Sequence, residues 1–232
     1  MNVDNLRSSA ERPIIIASTL FRVASLLLVS YFWWIGVGNF GSEKLVYLTN
    51  WLMTLNIGLA AHALIPSQTK FLEFFQKTYV SIASLNIFIV VLYWGLRAAD
   101  PSFLGVDTTE WSIFYWIWDI YLHLMMMIFV LIEVLFLSTR RLSIMPAYTC
   151  LVVFFIAYIV YLEMYVSQVF DSPCGLLGCG FPYPFLNELD HSGRAIFYGG
   201  VWLLGSCIFV VISVCHRFIS RSRHRDPAPD HL

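Results

Sequence analysis

Charged side chains make up only 12% of this 232-residue chain, and hydrophobic ones make up 59%. A soluble domain carries about 25% charge and about 45–50% apolar residues. Half the usual charge cannot coat a globule. The shortage excludes a cytosolic enzyme, a nucleic-acid binder and a disordered chain. The formal net charge of −1 points to no partner, because charge in a membrane protein matters by position. Metal ligands are scarce as well. The histidine supply inside the apolar segments, His62 and His123 among it, does not provide a three-ligand catalytic zinc site. These two are read at different depths, which excludes a shared haem. No metal and no cofactor is expected. The alternating segments of a β-barrel are missing, as are internal repeats and a soluble second domain. A cleavable signal peptide is not expected either. The apolar run after Arg12 is too long for one and lacks a small-residue cleavage site.

Long apolar runs are what the chain has in excess. A membrane helix needs about 20 mostly apolar residues. Six segments qualify, at roughly 13–36, 45–65, 78–99, 112–137, 144–169 and 195–219. An isolated strand cannot span, because its unpaired backbone would face lipid. The expected fold is therefore an all-α membrane bundle of six transmembrane helices over 13–219. Residues 1–12 form a cytoplasmic N-terminus, and 220–232 form a basic, Pro-rich tail expected to be disordered.

Basic residues set the orientation. Arg7, Arg12, Lys70, Lys77, Arg140 and Arg141 fall on one side, with the tail arginines 217, 221, 223 and 225. The other side has Lys44, Arg97 and Arg194. The richer side should be cytoplasmic. Both termini are then cytoplasmic, as six crossings require. Aromatics such as Trp33, Trp34, Trp51, Trp94 and Trp111 cluster near span ends as an interfacial belt. The membrane is endomembrane (endoplasmic reticulum) or plasma membrane. Cys174 and Cys179 bracket a short loop on the non-cytoplasmic side. There they either form a disulfide, as an oxidising lumen permits, or stay reduced.

Ionisable groups within spans are costly, so each marks a candidate site. The candidates are Arg22, His62, Asp119, His123, Glu133 and Glu163. Arg22 should face the bundle and pair with a carboxylate. His62 reads as an interfacial histidine. Asp119 and His123 are four apart and share a helix face. A carboxylate there would orient the imidazole and stabilise its protonated form, as an acid does behind a catalytic histidine. The competing reading is a buried pair that holds helices together. Thr49 and Asn56 are seven apart on one face of the second span, a polar stripe suited to an internal cavity.

Several blocks, taken in order, resemble a known family. Tyr47-Leu48-Thr49 opens the second span, and Tyr93-Trp94 closes the third. His123 precedes Glu133 by ten residues. Then come Tyr183-Pro184-Phe185-Leu186 and Gly193-Arg194-Ala195-Ile196-Phe197. The set is similar to the androgen-induced family of six-span membrane threonine hydrolases. The run Tyr47-Leu48-Thr49-Asn50-Trp51 also resembles the rolling stone proteins. The first resemblance implies hydrolysis of fatty acid esters of hydroxy fatty acids, a lipid substrate drawn from the bilayer. Thr49 would be the nucleophile and His123 the base. Asp119, Asn50, Asn56 and Glu133 are the supporting candidates. Backbone groups near Thr49 and the amides of Asn50 or Asn56 are candidate oxyanion donors. The rival readings are a non-catalytic scaffold or fusion-related protein of the rolling stone type, and a small transporter with a proton path through Asp119, His123 and Glu133.

One expectation conflicts with the pairing. From the estimated span starts, Thr49 sits roughly 6 Å into its helix and His123 roughly 16 Å into its own, at 1.5 Å rise per residue. The two meet only if the helix starts are staggered or if irregular chain dips inward under protein cover.

Overall fold

The computed structural model describes residues 3–38, 45–65, 70–104, 112–138, 142–167 and 181–223. Cys174, Cys179, Arg140 and Arg141 lie outside them. Among the described residues no strand occurs. The helices are α1 (Val3–Trp33) with a π turn at Trp34–Gly38, α2 (Leu48–Leu64) and α3 (Lys70–Ala99). A 3₁₀ turn, Pro101–Leu104, precedes α4 (Ile113–Leu137). α5 (Ile144–Val166), the short α6 (Pro184–Glu188) and α7 (His191–Arg223) complete the chain. Among the described residues the first helix starts at Val3 and the last ends at Arg223. Both ends run past the expected limits of the membrane domain, because a helix need not stop where the bilayer does.

Five helices are long and apolar enough to cross a membrane: Pro13–Gly38, Lys77–Ala99, Ile113–Leu137, Ile144–Val166 and His191–Ser222. They make this a multi-pass membrane protein. Their ends agree with the sequence reading to within a few residues. α2 is the exception, at 17 residues. That is about 26 Å of helix, short of the roughly 30 Å hydrocarbon core.

α3 is the central helix. Tyr79, Val80, Ile82, Ala83, Leu85 and Phe88 along it are buried. Water exclusion does not drive helix association within lipid, so close packing and internal hydrogen bonds must. Small residues allow both. Ser81 donates its hydroxyl to the Ala147 carbonyl on α5. Gly58 on α2 leaves room for the Phe75 ring, which a Cβ would meet at 2.1 Å. Asn56 on α2 and Asn86 on α3 exchange two side-chain bonds of 3.0 Å. His62, read as interfacial, is buried.

Arg22 on α1 does find a carboxylate. Its Nε and Nη2 donate to Glu133 Oε2 and Oε1 on α4 at 2.8 and 3.0 Å. Removing one partner strands the other charge away from water, at about 3 kcal/mol or more for a buried pair. Glu133→Ala is therefore expected to lower the melting temperature in detergent by about 5 °C or more. The double change Arg22→Leu with Glu133→Leu should recover part of the stability. A Glu133→Ala protein that melts like wild type would show the pair to be energetically idle.

Candidate active site

The site forms where α2, α3 and α4 meet. Thr49 lies in the first turn of α2, and His123 about ten residues into α4. The two helices start out of register by roughly 13 Å at 1.5 Å rise per residue. This stagger resolves the depth conflict. α2 begins low, and the chain leading into it is held by protein. The Tyr158 hydroxyl on α5 donates to the Val46 carbonyl at 2.7 Å, and the Trp51 indole donates to the Leu45 carbonyl at 2.7 Å. Thr49 Oγ1 then stands 3.5 Å from His123 Nε2.

The tautomer of His123 is set by its partners. Nδ1 lies 3.1 Å from the Asp119 carbonyl oxygen and 3.0 Å from Asp119 Oδ1. A carbonyl oxygen only accepts, so Nδ1 carries the proton. In the neutral ring Nε2 is then the acceptor, and it faces the Thr49 hydroxyl. A π turn at Tyr121–Met125 surrounds His123. Such turns take carbonyls out of the regular ladder and recur at functional sites.

Asp119 is itself enclosed, with 7% of its surface exposed. The Tyr93 hydroxyl donates to Oδ1 at 2.6 Å, and Arg97 Nη1 donates to Oδ2 at 3.0 Å. Arg97 also donates to the Tyr93 hydroxyl oxygen at 2.9 Å. Tyr93 and Arg97 are four apart on α3, so one helix face delivers both. The Tyr93 ring stacks on the His123 ring, with centroids 3.5 Å apart and planes 4° apart. The Trp94 indole donates to the His123 carbonyl at 3.1 Å. The Arg97 guanidinium lies 5.2 and 5.3 Å from the Trp116 and Trp94 ring centres, a favourable place for a cation. Asp119, His123 and the Tyr93 ring thus form one locked unit.

A cavity of about 350 Å³ opens in front of this unit. Thr49, Asn50, Asp119 and His123 line it, with Tyr47, Tyr93 and Tyr183 among its aromatic walls. Gly36, in the π turn after α1, lies beside Asn50, and a Cβ there would be 3.4 Å from Asn50 Oδ1. The backbone N–H groups of Leu48 and Thr49 belong to the first turn of α2, where the helix dipole favours negative charge.

Four of the sequence-selected residues therefore converge: Thr49, Asn50, Asp119 and His123. Asn56 and Glu133 do not. Both border a separate small cavity with Arg22, about 30 Å³ in volume. Tyr93 and Arg97 were not selected as site residues. Tyr93 was legible only as part of a block shared with a family, and Arg97 only as an outside charge. Among the described residues no cluster of three or more histidine, cysteine or acidic side chains could hold a metal ion.

The description FAR-17a/AIG1-like protein belongs to the family whose model matches residues 17–217. No curated protein and no solved structure was found to match the chain.

Proposed function

We propose that this chain, which belongs to the FAR-17a/AIG1-like family, is an intramembrane lipid-ester hydrolase. Thr49 is the nucleophile, His123 the general base and Asp119 the acid behind it. The observation that carries the reading is the approach of Thr49 Oγ1 to the proton-free nitrogen of His123, 3.5 Å, at the wall of a 350 Å³ cavity. Such bonds are often long without substrate and tighten in the reacting complex. A scaffold needs no cavity. A proton path through Glu133 would be blocked by its pairing with Arg22. The substrate class is fatty acid esters of hydroxy fatty acids, taken from the bilayer.

The steps balance without a cofactor. Thr49 Oγ1 attacks the ester carbonyl carbon while His123 Nε2 takes the hydroxyl proton. The carbonyl oxygen becomes an oxyanion. The Thr49 N–H at the start of α2 and the Asn50 side-chain amide are the donors proposed for it, and such donors act strongly in a dry site. The bond from carbonyl carbon to alkoxy oxygen then breaks. The leaving oxygen takes the proton from His123 and departs as the hydroxy fatty acid. Water attacks the acyl-threonine, gives a proton to His123, and the fatty acid leaves as that proton returns to Thr49.

The same reading makes α2 the sixth crossing, with its low start sunk under protein cover. Both termini then face the cytoplasm of an endoplasmic reticulum or plasma membrane. Protease protection of tags at the two ends tests this, and opposite protection would overturn it. The activity is tested on purified protein in detergent given a hydroxy-fatty-acid ester. Free fatty acid and hydroxy fatty acid should appear in equal amounts. Acid quenching during turnover should leave an acyl group on the peptide that contains Thr49. No release from several lipid esters would sink the reading.

A further inference from the structure

An ester hydrolase must place two groups on opposite sides of one carbonyl. With Thr49 as nucleophile, the leaving oxygen has to reach His123, while the acyl carbon stays bonded to Thr49. The cavities of this protein are arranged for that division. Another cavity, distinct from the one beside Arg22 and about 40 Å³ in volume, lies between α3, α5, α6 and α7. It shares four wall residues with the large one: Leu48, Leu92, Leu96 and Tyr183. Leu48 is the neighbour of the nucleophile. His123 lines only the large cavity.

We infer that the small cavity is the acyl-chain subsite, and that Phe155 is the floor that limits the length of chain it takes. The inference rests on the hydrolase reading. The alcohol portion occupies the 350 Å³ arm, where His123 can protonate its leaving oxygen. The acyl chain runs past Leu48 and Tyr183 into the 40 Å³ arm. Apart from tyrosine hydroxyls, the walls of that arm are hydrocarbon and aromatic. An apolar void of this kind stays dry and takes apolar guests. It is also the tighter of the two arms, so it sets the limit.

The floor is held in place by a missing side chain. Phe155 on α5 packs edge-on against Phe88 of α3, with ring centres 5.0 Å apart. On its other side is Gly205 of α7, where a Cβ would lie 2.6 Å from Phe155 Cε2 and 2.8 Å from Cζ. A real Cβ cannot sit so close. Alanine at 205 leaves the ring no room where it stands, and the void that Phe155 borders is open space for it to move into. Alanine at 155 must deepen that void. The two changes therefore act in opposite directions on one dimension of the site, and neither position lines the cavity that holds Thr49, Asp119 and His123.

The test is a series of saturated acyl esters of one fluorogenic alcohol, in graded lengths, on the full-length protein in detergent. Phe155→Ala should move the optimum kcat/KM to longer chains. Gly205→Ala should move it to shorter ones. A chain that overruns the floor should lose roughly tenfold or more, the discrimination a methylene commands in an apolar pocket. In both variants the change should be smallest for the shortest ester, whose chain stops short of the floor. Phe155→Leu, a milder change, should give a smaller shift in the same direction, and monodisperse elution certifies folding. Equal loss at every length, or an unchanged optimum in both variants, would overturn the inference. Should wild type cleave no ester, the hydrolase reading fails and the subsite is read by binding. Saturated fatty acids of graded length then compete with a fluorescent fatty acid for the same three variants. Opposite shifts in preferred length would still support an acyl slot at Phe155, and their absence would remove it.

Discussion

Thr49→Val and His123→Ala are each expected to lower kcat by about a thousandfold or more, with little change in melting temperature. Valine keeps the branched shape of threonine and removes only the hydroxyl. Thr49 is 8% exposed and Asn50 6%, so an alanine would also leave a gap, and valine separates chemistry from packing. A positioned base alone contributes typically 10²–10⁴-fold. Residues that act as one unit are far from additive. The double variant should therefore be no slower than the slower single one. Thr49→Ser keeps the nucleophilic oxygen and should retain measurable turnover and an acyl adduct at position 49. The measurement is initial-rate release of fatty acid by each purified, folded variant. Full activity in Thr49→Val would remove the nucleophile assignment outright. Equal survival of His123→Ala would leave the threonine without a base.

How far the site could be read from sequence depends on which distances lie along one helix. Asp119 and His123 are i and i+4, and the structure gives the face-sharing that spacing predicts. The apolar runs marked the helices because about 20 apolar residues have few other homes. The same-face argument failed for Asn56. Seven residues bring it back to the face of Thr49 but also about 10 Å further along α2, where Asn86 and the small cavity near Arg22 receive it. Periodicity reports angle and says nothing of which neighbour lies at that depth. Glu133 lies away from the large cavity for a second reason. The π turns at Tyr121–Met125 and Ile132–Leu137 add residues to their turns and so rotate the later part of the helix. Nothing in composition announces them. Glu163 sits in another, Leu162–Val166, and pairs with Arg194 at 2.8 Å and with the Tyr198 hydroxyl at 2.8 Å. The stagger between α2 and α4 is likewise a property of packing between helices, so spans read one by one put Thr49 and His123 at different depths. The blocks that carried the family resemblance were better guides than periodicity. Tyr47, Tyr93, His123 and Tyr183, from four of those stretches, all line the large cavity.

Asp119→Asn is the second large effect, and it is expected to cost about 10³–10⁴ in kcat with KM nearly unchanged. The magnitude matches the loss seen when the acid of a nucleophile–base–acid triad becomes an amide and the wrong imidazole tautomer results. Here the geometry makes the mechanism specific. The Asp119 carbonyl still accepts from Nδ1 at 3.1 Å, so the ring does not lose every anchor. What goes is the carboxylate that stabilises the imidazolium formed during attack. An asparagine also has to satisfy two donors, Tyr93 and Arg97, that now address a carboxylate. Tyr93→Phe keeps the ring stacked on His123 and deletes only the 2.6 Å bond, so a loss of about tenfold is expected, the worth of one hydrogen bond to a charged group. Arg97→Met keeps an apolar stem beside Trp94 and Trp116 and leaves the buried carboxylate without its cation, and its loss should fall between the other two. A merely structural role would lower the folded fraction and leave kcat per folded molecule alone. A role through His123 predicts a different pattern. Asp119→Asn should slow the wild-type background by about three orders of magnitude or more, yet change nothing further when added to His123→Ala. An Asp119→Asn protein within threefold of wild-type kcat would break the link between the acid and the base. The stacked Tyr93 and the cation at Arg97 would then be helix cement, and His123 would act with its backbone contact as its sole orienting group.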